Sequence, residues 1–471
     1  MSARHLLPLL ACASLVACLG EPYQRPAIEV PAEFRISVEQ TPQADDRLWW
    51  QGFGDPVLDG LVEEALKNNE DLRIAAARVD EFHGAMMQVR AGLVPGVGYS
   101  AQSGQQQPSR AVPPGSDATV NSVSGGFTAG WEIDVWGRIR NLTAASVADW
   151  QASEADRRAA VLSVVGATVT GYLVLLSLDE QLATAHSTLE SRAKALAVFE
   201  KRHKGGVVSG VEVAQAQSAY EVAAASIPLL EQQIEQQENA LSVLLGRTPG
   251  PIQRGRKLEQ LGTPAIPAGL PSDVLTWRPD VVAAEQQLVA ANARVSAARA
   301  LYFPTISLTG FLGSASTSLG ELFSSGTDTW NYVGAAAGPI FQGGANVGAN
   351  QAADARKAQL VANYRSVVRR AFADVDDALV ATVKTTERTK AQEAQVDALI
   401  RYSTLSRKRY DGGYTSYLEV LDAETSLFNA ELLSSQGERD RLLAHVDLYR
   451  ALGGGWVDAA AARAPQPDDP P

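Results

Sequence analysis

Cysteine is nearly missing from this chain: of 471 residues only Cys12 and Cys18 carry a thiol, and both precede residue 20. Disulfides and cysteine-based metal sites are thereby excluded from everything downstream. Histidine is almost as scarce. His83, His186, His203 and His445 are scattered, no pair has metal-ligand spacing, and each reads as a solvent-facing or packing residue. Basic charge is in deficit, with 41 Lys and Arg against 53 Asp and Glu and a net charge of -12. That balance argues against nucleic acid, whose phosphates demand a basic surface. There is no phosphate-loop pattern, no Gly-x-Ser-x-Gly and no His-Glu-x-x-His, so an enzyme reading has no constellation to stand on. No apolar run of transmembrane-helix length is expected after residue 17, and any membrane crossing would therefore use strands.

What is present begins at the N-terminus. Arg4 and His5 precede a short apolar run, Leu6 to Val16, which reads as a secretory signal. It ends in Leu15-Val16-Ala17-Cys18, the pattern of a bacterial lipoprotein cleavage site, and Cys18 becomes the expected lipidated first residue. A start at Cys12 would leave almost no apolar segment before the cut.

The remainder is one unit used twice. Asp71, Ala75, Arg90, Ala91 and Pro95 recur as Asp280, Ala284, Arg299, Ala300 and Pro304, at a constant offset of 209. Arg202, Gly205, Gly206, Ser209, Glu212, Val213, Ala216, Ala223, Leu245 and Gly246 recur from Arg409 to Gly453 at an offset of 207. Trp136 and Asn141 match Phe341 and Asn346 at 205, which places the length differences in the connecting segments. Each half opens with an Ala-rich helix stopped by proline. Phe127, Ala129, Trp131, Ile133 and Val135 then alternate with Thr128, Gly130, Glu132 and Asp134, a strand with one apolar face. Weaker alternation at Val97-Tyr99-Ala101, Ile306-Leu308 and Trp330-Tyr332 makes two strands per half. The apolar face suits a soluble core and lipid equally.

Proline is absent between Pro114 and Pro228 and between Pro339 and Pro465, which predicts long helices over 143–204 and 345–411. At ~1.5 Å per residue each would reach roughly 90–100 Å, beyond the needs of a compact globule. Leu175, Leu182, Leu189 and Leu196 keep a seven-residue spacing, interrupted at companion positions by His186 and Arg192. Gly205-Gly206 and Gly412-Gly413 turn each long helix into a second one. The expected organisation is a signal over 1–17, a lipidated segment over 18–47, repeats over 48–250 and 273–456, a Pro-rich linker over 251–272 and a disordered tail over 457–471. Four strands per chain cannot close a barrel of about eight, so a membrane-spanning sheet would need several copies.

The chain resembles the TolC-type outer-membrane efflux channels, in the lipoprotein branch that serves resistance-nodulation-division pumps. The resemblance rests on Trp49-Trp50 with Phe53-Gly54-Asp55-Pro56, on Arg278-Pro279-Asp280-Val281 with Phe303-Pro304, on Tyr410-Asp411-Gly412-Gly413 with Leu418 to Ala423, and on Ala451 to Trp456. It implies an α+β membrane protein: a homotrimer whose four strands per chain form a 12-stranded barrel and whose helical hairpins form a periplasmic tunnel. It also implies a periplasmic adaptor, an inner-membrane pump and no cofactor beyond the lipid on Cys18. Glu419 and Asp422 fall on the family's periplasmic closure, where three chains would set six carboxylates around an opening that attracts cations. Tyr410 and Glu212 match positions that hold the gate shut, and Thr415 stands where a family member carries arginine. Otherwise these residues would be a solvated helix face and ordinary turn chemistry. A type I secretion conduit and a lipid-anchored coiled-coil scaffold are the competing readings.

Overall fold

The computed structural model describes residues 22–31, 33–36, 46–107, 119–265, 274–467 and 469; Cys18 lies outside them. After a 3-10 helix at Asp46–Phe53, the first half runs α1 (Pro56–Asn68), α2 (Glu70–Ala91), β1 (Gly96–Gln106), β2 (Val120–Ile133), α3 (Arg138–Lys204) and α4 (Gly210–Leu244). The second half repeats the order as α5 (Val274–Trp277), α6 (Pro279–Ala300), β3 (Thr305–Ser316), β4 (Asp328–Ala337), α7 (Ala345–Asp411) and α8 (Tyr417–Leu452), then adds α9 (Trp456–Ala461). The helix α7 has the bounds that the missing prolines predicted, and α3 starts five residues earlier than expected, at Arg138. The Asp134 carboxylate caps it there, accepting from the backbone N–H of Ile139 at 3.0 Å and of Arg140 at 2.8 Å. Both long helices therefore start and end at an offset of 207, which corrects the offset of 205 expected at their beginnings.

Two compact units emerge, and neither is a sequence repeat. Among the described residues, one gathers 22–27, 79–154 and 283–365; the other gathers 28–78, 155–282 and 366–469. The division falls inside the long helices rather than in the Pro-rich linker, because a helix of ~100 Å is longer than one compact unit.

In the first unit the strands form a single antiparallel sheet in the order β1-β2-β3-β4. Direct partners lie on one face of a sheet. The row Tyr99, Phe127, Leu312, Trp330 and the next row Val97, Ala129, Gly310, Tyr332 therefore place the aromatic and aliphatic side chains of all four strands together. That face is bare, with Tyr99 87% and Trp330 68% exposed in the single chain. Gly126 and Gly313 let β2 and β3 approach closely, since a Cβ on Gly126 would sit 2.4 Å from the Leu312 carbonyl oxygen.

The second unit holds the main core. Trp49, Trp50, Phe53 and Trp456 interlock edge to face, and Trp49 stacks on Tyr449 at 4.9 Å. Asp55, fully buried, caps α1 through the Val57 N–H at 2.9 Å and accepts from the Tyr172 hydroxyl at 2.7 Å and the Arg256 N–H at 3.0 Å. Two expectations are corrected here. Residues 159–178 of α3 carry no charge and form a helical stretch long and apolar enough to cross a membrane. Val161, Val165, Val169, Tyr172, Leu173 and Leu175 within it are buried, which makes it a core helix enclosed by protein. The tail beyond Trp456 is not structureless either: α9 is helical and buries Val457, Ala460 and Ala461, with Ala464 buried beyond it, because Trp456 draws the following alanines onto the aromatic cluster.

Candidate functional site

Glu212, Tyr410, Glu419 and Asp422, the residues that the resemblance singles out, all lie at or beside the turns that join α3 to α4 and α7 to α8. Both turns end their helices in the same way. Gly206 and Gly413 take positive φ, 75° and 77°, and the N–H groups of Val207 and Tyr414 bond back to the carbonyls of Arg202 and Arg409, each at 2.9 Å. This closure satisfies the last helical carbonyls and needs a residue without Cβ at the left-handed position.

Equivalent glutamates then do different things. Glu212 folds back on its own helix start and accepts from the Ser209 N–H at 2.9 Å, which is turn chemistry. Glu419 instead accepts from Arg409 Nη1 at 2.8 Å, from the Thr415 hydroxyl and, at 3.4 Å, from the Ser406 hydroxyl. Position 415 corresponds to Val208 in the first half, which has no hydroxyl to offer. Asp422 remains exposed, with the Tyr402 hydroxyl at 3.4 Å.

Tyr410 packs with Phe199 and Tyr417, ring centroids 6.1 and 5.6 Å away, and its hydroxyl accepts from Arg202 at 3.5 Å. Among the described residues Tyr410 and Glu212 share no hydrogen bond within one chain. Phe199, Tyr417, Val420 and Ala216 make a small buried core under the two turns, so the hairpins are packed to each other close to their tips. His203 lies in the first turn with Nδ1 2.9 Å from the Val208 carbonyl oxygen, a packing contact.

A few turns from the tips lies Arg192, which the sequence marked only as an interruption of the leucine spacing and not as a site residue. It is only 3% exposed, donates to the Ala219 carbonyl of α4 at 2.6 Å, lies 3.5 Å from Thr425 Oγ1 and sits 5.5 Å over the Phe428 ring, both on α8. One side chain on α3 thus touches both other helices. Burial pushes its guanidinium pKa down, opposed by Glu424; burial likewise raises the Glu424 carboxyl, opposed by Arg407 and Arg192. The available signal was the arginine itself, standing where a leucine stripe called for an apolar companion. Among the described residues no group of three or more His, Cys, Asp or Glu side chains is placed to hold a metal ion. The arrangement offers packing, ion pairs and a set of turns, and no nucleophile with its base.

Residues 61–247 and 270–454 each match the model of the family described as outer membrane efflux protein, so the two matches coincide with the two repeats. The chain is 35% identical over 460 residues to the solvent efflux pump outer membrane protein SrpC of Pseudomonas putida, covering 96% of this chain and 98% of that protein. It is 34% identical over 466 residues to the cation efflux system protein CusC of Escherichia coli O6:H1, covering 97% and 100%. The crystal structure of the Campylobacter jejuni CmeC outer membrane channel superposes with a TM-score of 0.86 at 27% identity, over 93% of this chain and 95% of that one.

Proposed function

The chain belongs to the outer membrane efflux protein family, and on that premise we propose that three copies form one passive duct joined at its periplasmic end to an adaptor and a resistance-nodulation-division pump. It is the outer-membrane component of an efflux system, a conduit and not an enzyme. The observation that carries the assembly is the sheet of the first unit: four strands with an apolar face and two unpaired edges, β1 and β4. Four strands cannot close, and a barrel has no lipid-exposed edge, so copies must supply each other's missing partners. Cys18 carries the lipid anchor in this reading, and no other cofactor is called for.

The turns of the hairpins close the duct. Asp422 supplies the exposed negative charge that favours cations, while Glu419, neutralised by Arg409, joins Thr415 in holding the start of α8. Tyr410 contributes through the aromatic core under the turns, and Glu212 by capping α4. The cargo is small toxic compounds. Named relatives serve solvent and cation efflux alike, which supports placing cargo choice in the pump. A protein-secretion conduit is less favoured, since those names are of small-molecule systems.

Purified protein in planar bilayers should show discrete conductance steps, and deletion of the gene should lower resistance to at least one class of toxic compound. A water-soluble monomer without conductance would end the channel reading.

A further inference from the structure

The connection between β3 and β4 is an ordered structure of its own. It forms a 3-10 turn at Leu319–Glu321 and closes on itself: the Thr327 hydroxyl donates to the Leu322 carbonyl at 2.8 Å, the Ser324 hydroxyl to the Glu321 carbonyl at 2.8 Å, and the Ala315 N–H to the Thr327 carbonyl at 2.9 Å. Of its three large apolar side chains only Leu322 is buried, at 6% exposed; Leu319 and Phe323 are 74% and 88% exposed. A fixed loop that leaves two such groups bare has a surface for something to cover.

The place where Leu322 lands indicates what covers it. A Cβ built on Gly125 would stand 3.7 Å from Leu322 Cδ2, so the leucine lies over the face of β2 toward which a side chain at 125 would point. Side chains two apart share a face, and Phe127 with its partners Leu312 and Trp330 is on this one. Val123 is on it too, and is the one residue of the four strands that is buried. The opposite face presents Thr128, Thr309 and Asn331, as a water-filled bore requires. The loop has therefore folded outward over the apolar face instead of across the mouth of the duct.

The dimensions agree with this placement. Within the sheet the apolar rows run from Ile133 and Ile306 to Phe127, Leu312 and Trp330, six residues along β2 (133 - 127 = 6). At ~3.4 Å per residue and a tilt of about 40° they span ~16 Å, short of the apolar band of ~25 Å that meets lipid. The next row, Gly125 with Ser314 and Asp328, has no apolar side chain of its own. Leu322 covers Gly125, and counted on to Val123 the span is ten residues (133 - 123 = 10), or ~26 Å.

We propose that the β3–β4 connection is a lipid anchor: Leu322 clips it to the outer side of the sheet, and Leu319 and Phe323 enter the acyl chains of the leaflet farther from α6 and α7. Lipid is the occupant because the loop continues the lipid-facing side and carries one charged residue, Glu321, between Ser316 and Asp328. This inference deepens the channel reading above and rests on it.

The test places single cysteines in the full-length chain, whose mature form otherwise has no thiol but the expected acylated Cys18. Leu319→Cys, Phe323→Cys, Ser325→Cys and Leu312→Cys are spin-labelled and reconstituted in vesicles of phosphatidylethanolamine and phosphatidylglycerol. Collisions of each label with oxygen, which enters lipid, are compared with collisions with a nickel chelate, which stays in water. The oxygen-to-nickel ratio at Leu319 and Phe323 should match that at Leu312 on the sheet and exceed that at Ser325 several-fold. A water-like ratio at either apolar loop site, with a lipid-like one at Leu312, overturns the anchor and leaves the channel reading standing; a water-like ratio at Leu312 overturns both. Shielding of the loop sites from both probes would show protein covering them, which also overturns the anchor. Adding Leu322→Ala should bring the label at Phe323 to the ratio of Ser325 while the label at Leu312 is unaffected. An unchanged ratio at Phe323 overturns the role of Leu322 as the clip.

Discussion

Arg409 donates to the Glu419 carboxylate at 2.8 Å across the turn between α7 and α8, whereas Arg202, its counterpart in the other half, reaches the Tyr410 hydroxyl and leaves Glu212 to cap α4. Two copies of one turn thus carry the same charges in different pairings. The deciding atom is the Thr415 hydroxyl, which gives Glu419 a second donor where Val208 offers none to Glu212.

Replacing Thr415 by valine should therefore loosen the second turn without unfolding it. The Arg409–Glu419 pair alone is partly exposed and worth about 0.2–1 kcal/mol. Removing the hydroxyl costs about 0.5–1.5 kcal/mol more, so open time in single-channel records should rise several-fold. No change in gating would place the closure elsewhere.

The two carboxylates should separate functionally. Asp422→Ala should reduce cation selectivity of the conductance more than Glu419→Ala does, because Glu419 already has a cation beside it. Equal losses, or no loss in the double variant, would refute this division of roles.

Arg192→Ala should cost about 2–4 kcal/mol, the range for truncating a large side chain in a packed site, and Arg192→Met, which keeps the apolar stem, clearly less. Thermal unfolding followed by circular dichroism ranks the two. If both variants melt with the wild type, Arg192 does not hold the three helices together.

Glu424 supplies a pH dependence with a definite sign. Its folded pKa is raised by burial, so it favours the folded state at low pH and loses that contribution as pH rises through the folded value. Glu424→Gln should accordingly raise the melting temperature at pH 8, with the gain shrinking below pH 4. A constant gain at both pH values would show that packing, not ionisation, is responsible.

The buried Asp55 makes the second unit sensitive to a single oxygen. Tyr172→Phe removes its donor at 2.7 Å and should cost about 1.5–3 kcal/mol, as expected for a hydrogen bond to a charged group. Gly255→Ala should be at least as harmful, since its Cβ would fall 2.0 Å from the Asp55 carboxylate. Urea midpoints check both.

Much of the fold was legible. The unbroken length of α7 followed from the missing prolines and its end from Gly412-Gly413, and the four strands followed from alternation, because these signals act within one segment. The offset at the starts of the long helices was misread by two residues, since the match of Asn141 with Asn346 and the likeness of Trp136 to Phe341 were aligned without the strand register, which carries the offset of 207 from β2 and β4 into the helices and places the length difference between the first two strands of each half. The charge-free stretch 159–178 was overlooked, and it lies among buried residues only because distant segments cover it. Of the site, Glu419 and Asp422 were found by motif, but their unequal surroundings depend on Thr415 and Tyr402, which no pattern joined to them.

By itself, the sequence determined whatever depends on neighbours along the chain: helix length, strand parity, the turn glycines and the duplication. The tertiary structure alone decided which charges are buried and with whom. Arg192 looked like a break in a leucine stripe and turned out to be a tie between α3, α4 and α8; the tail after Trp456 looked disordered and is buried in one cluster with a tryptophan more than 400 residues earlier. The cost of burying a charge, or the gain from burying an alanine, is set by the atoms that arrive from elsewhere in the chain, and local composition does not record them.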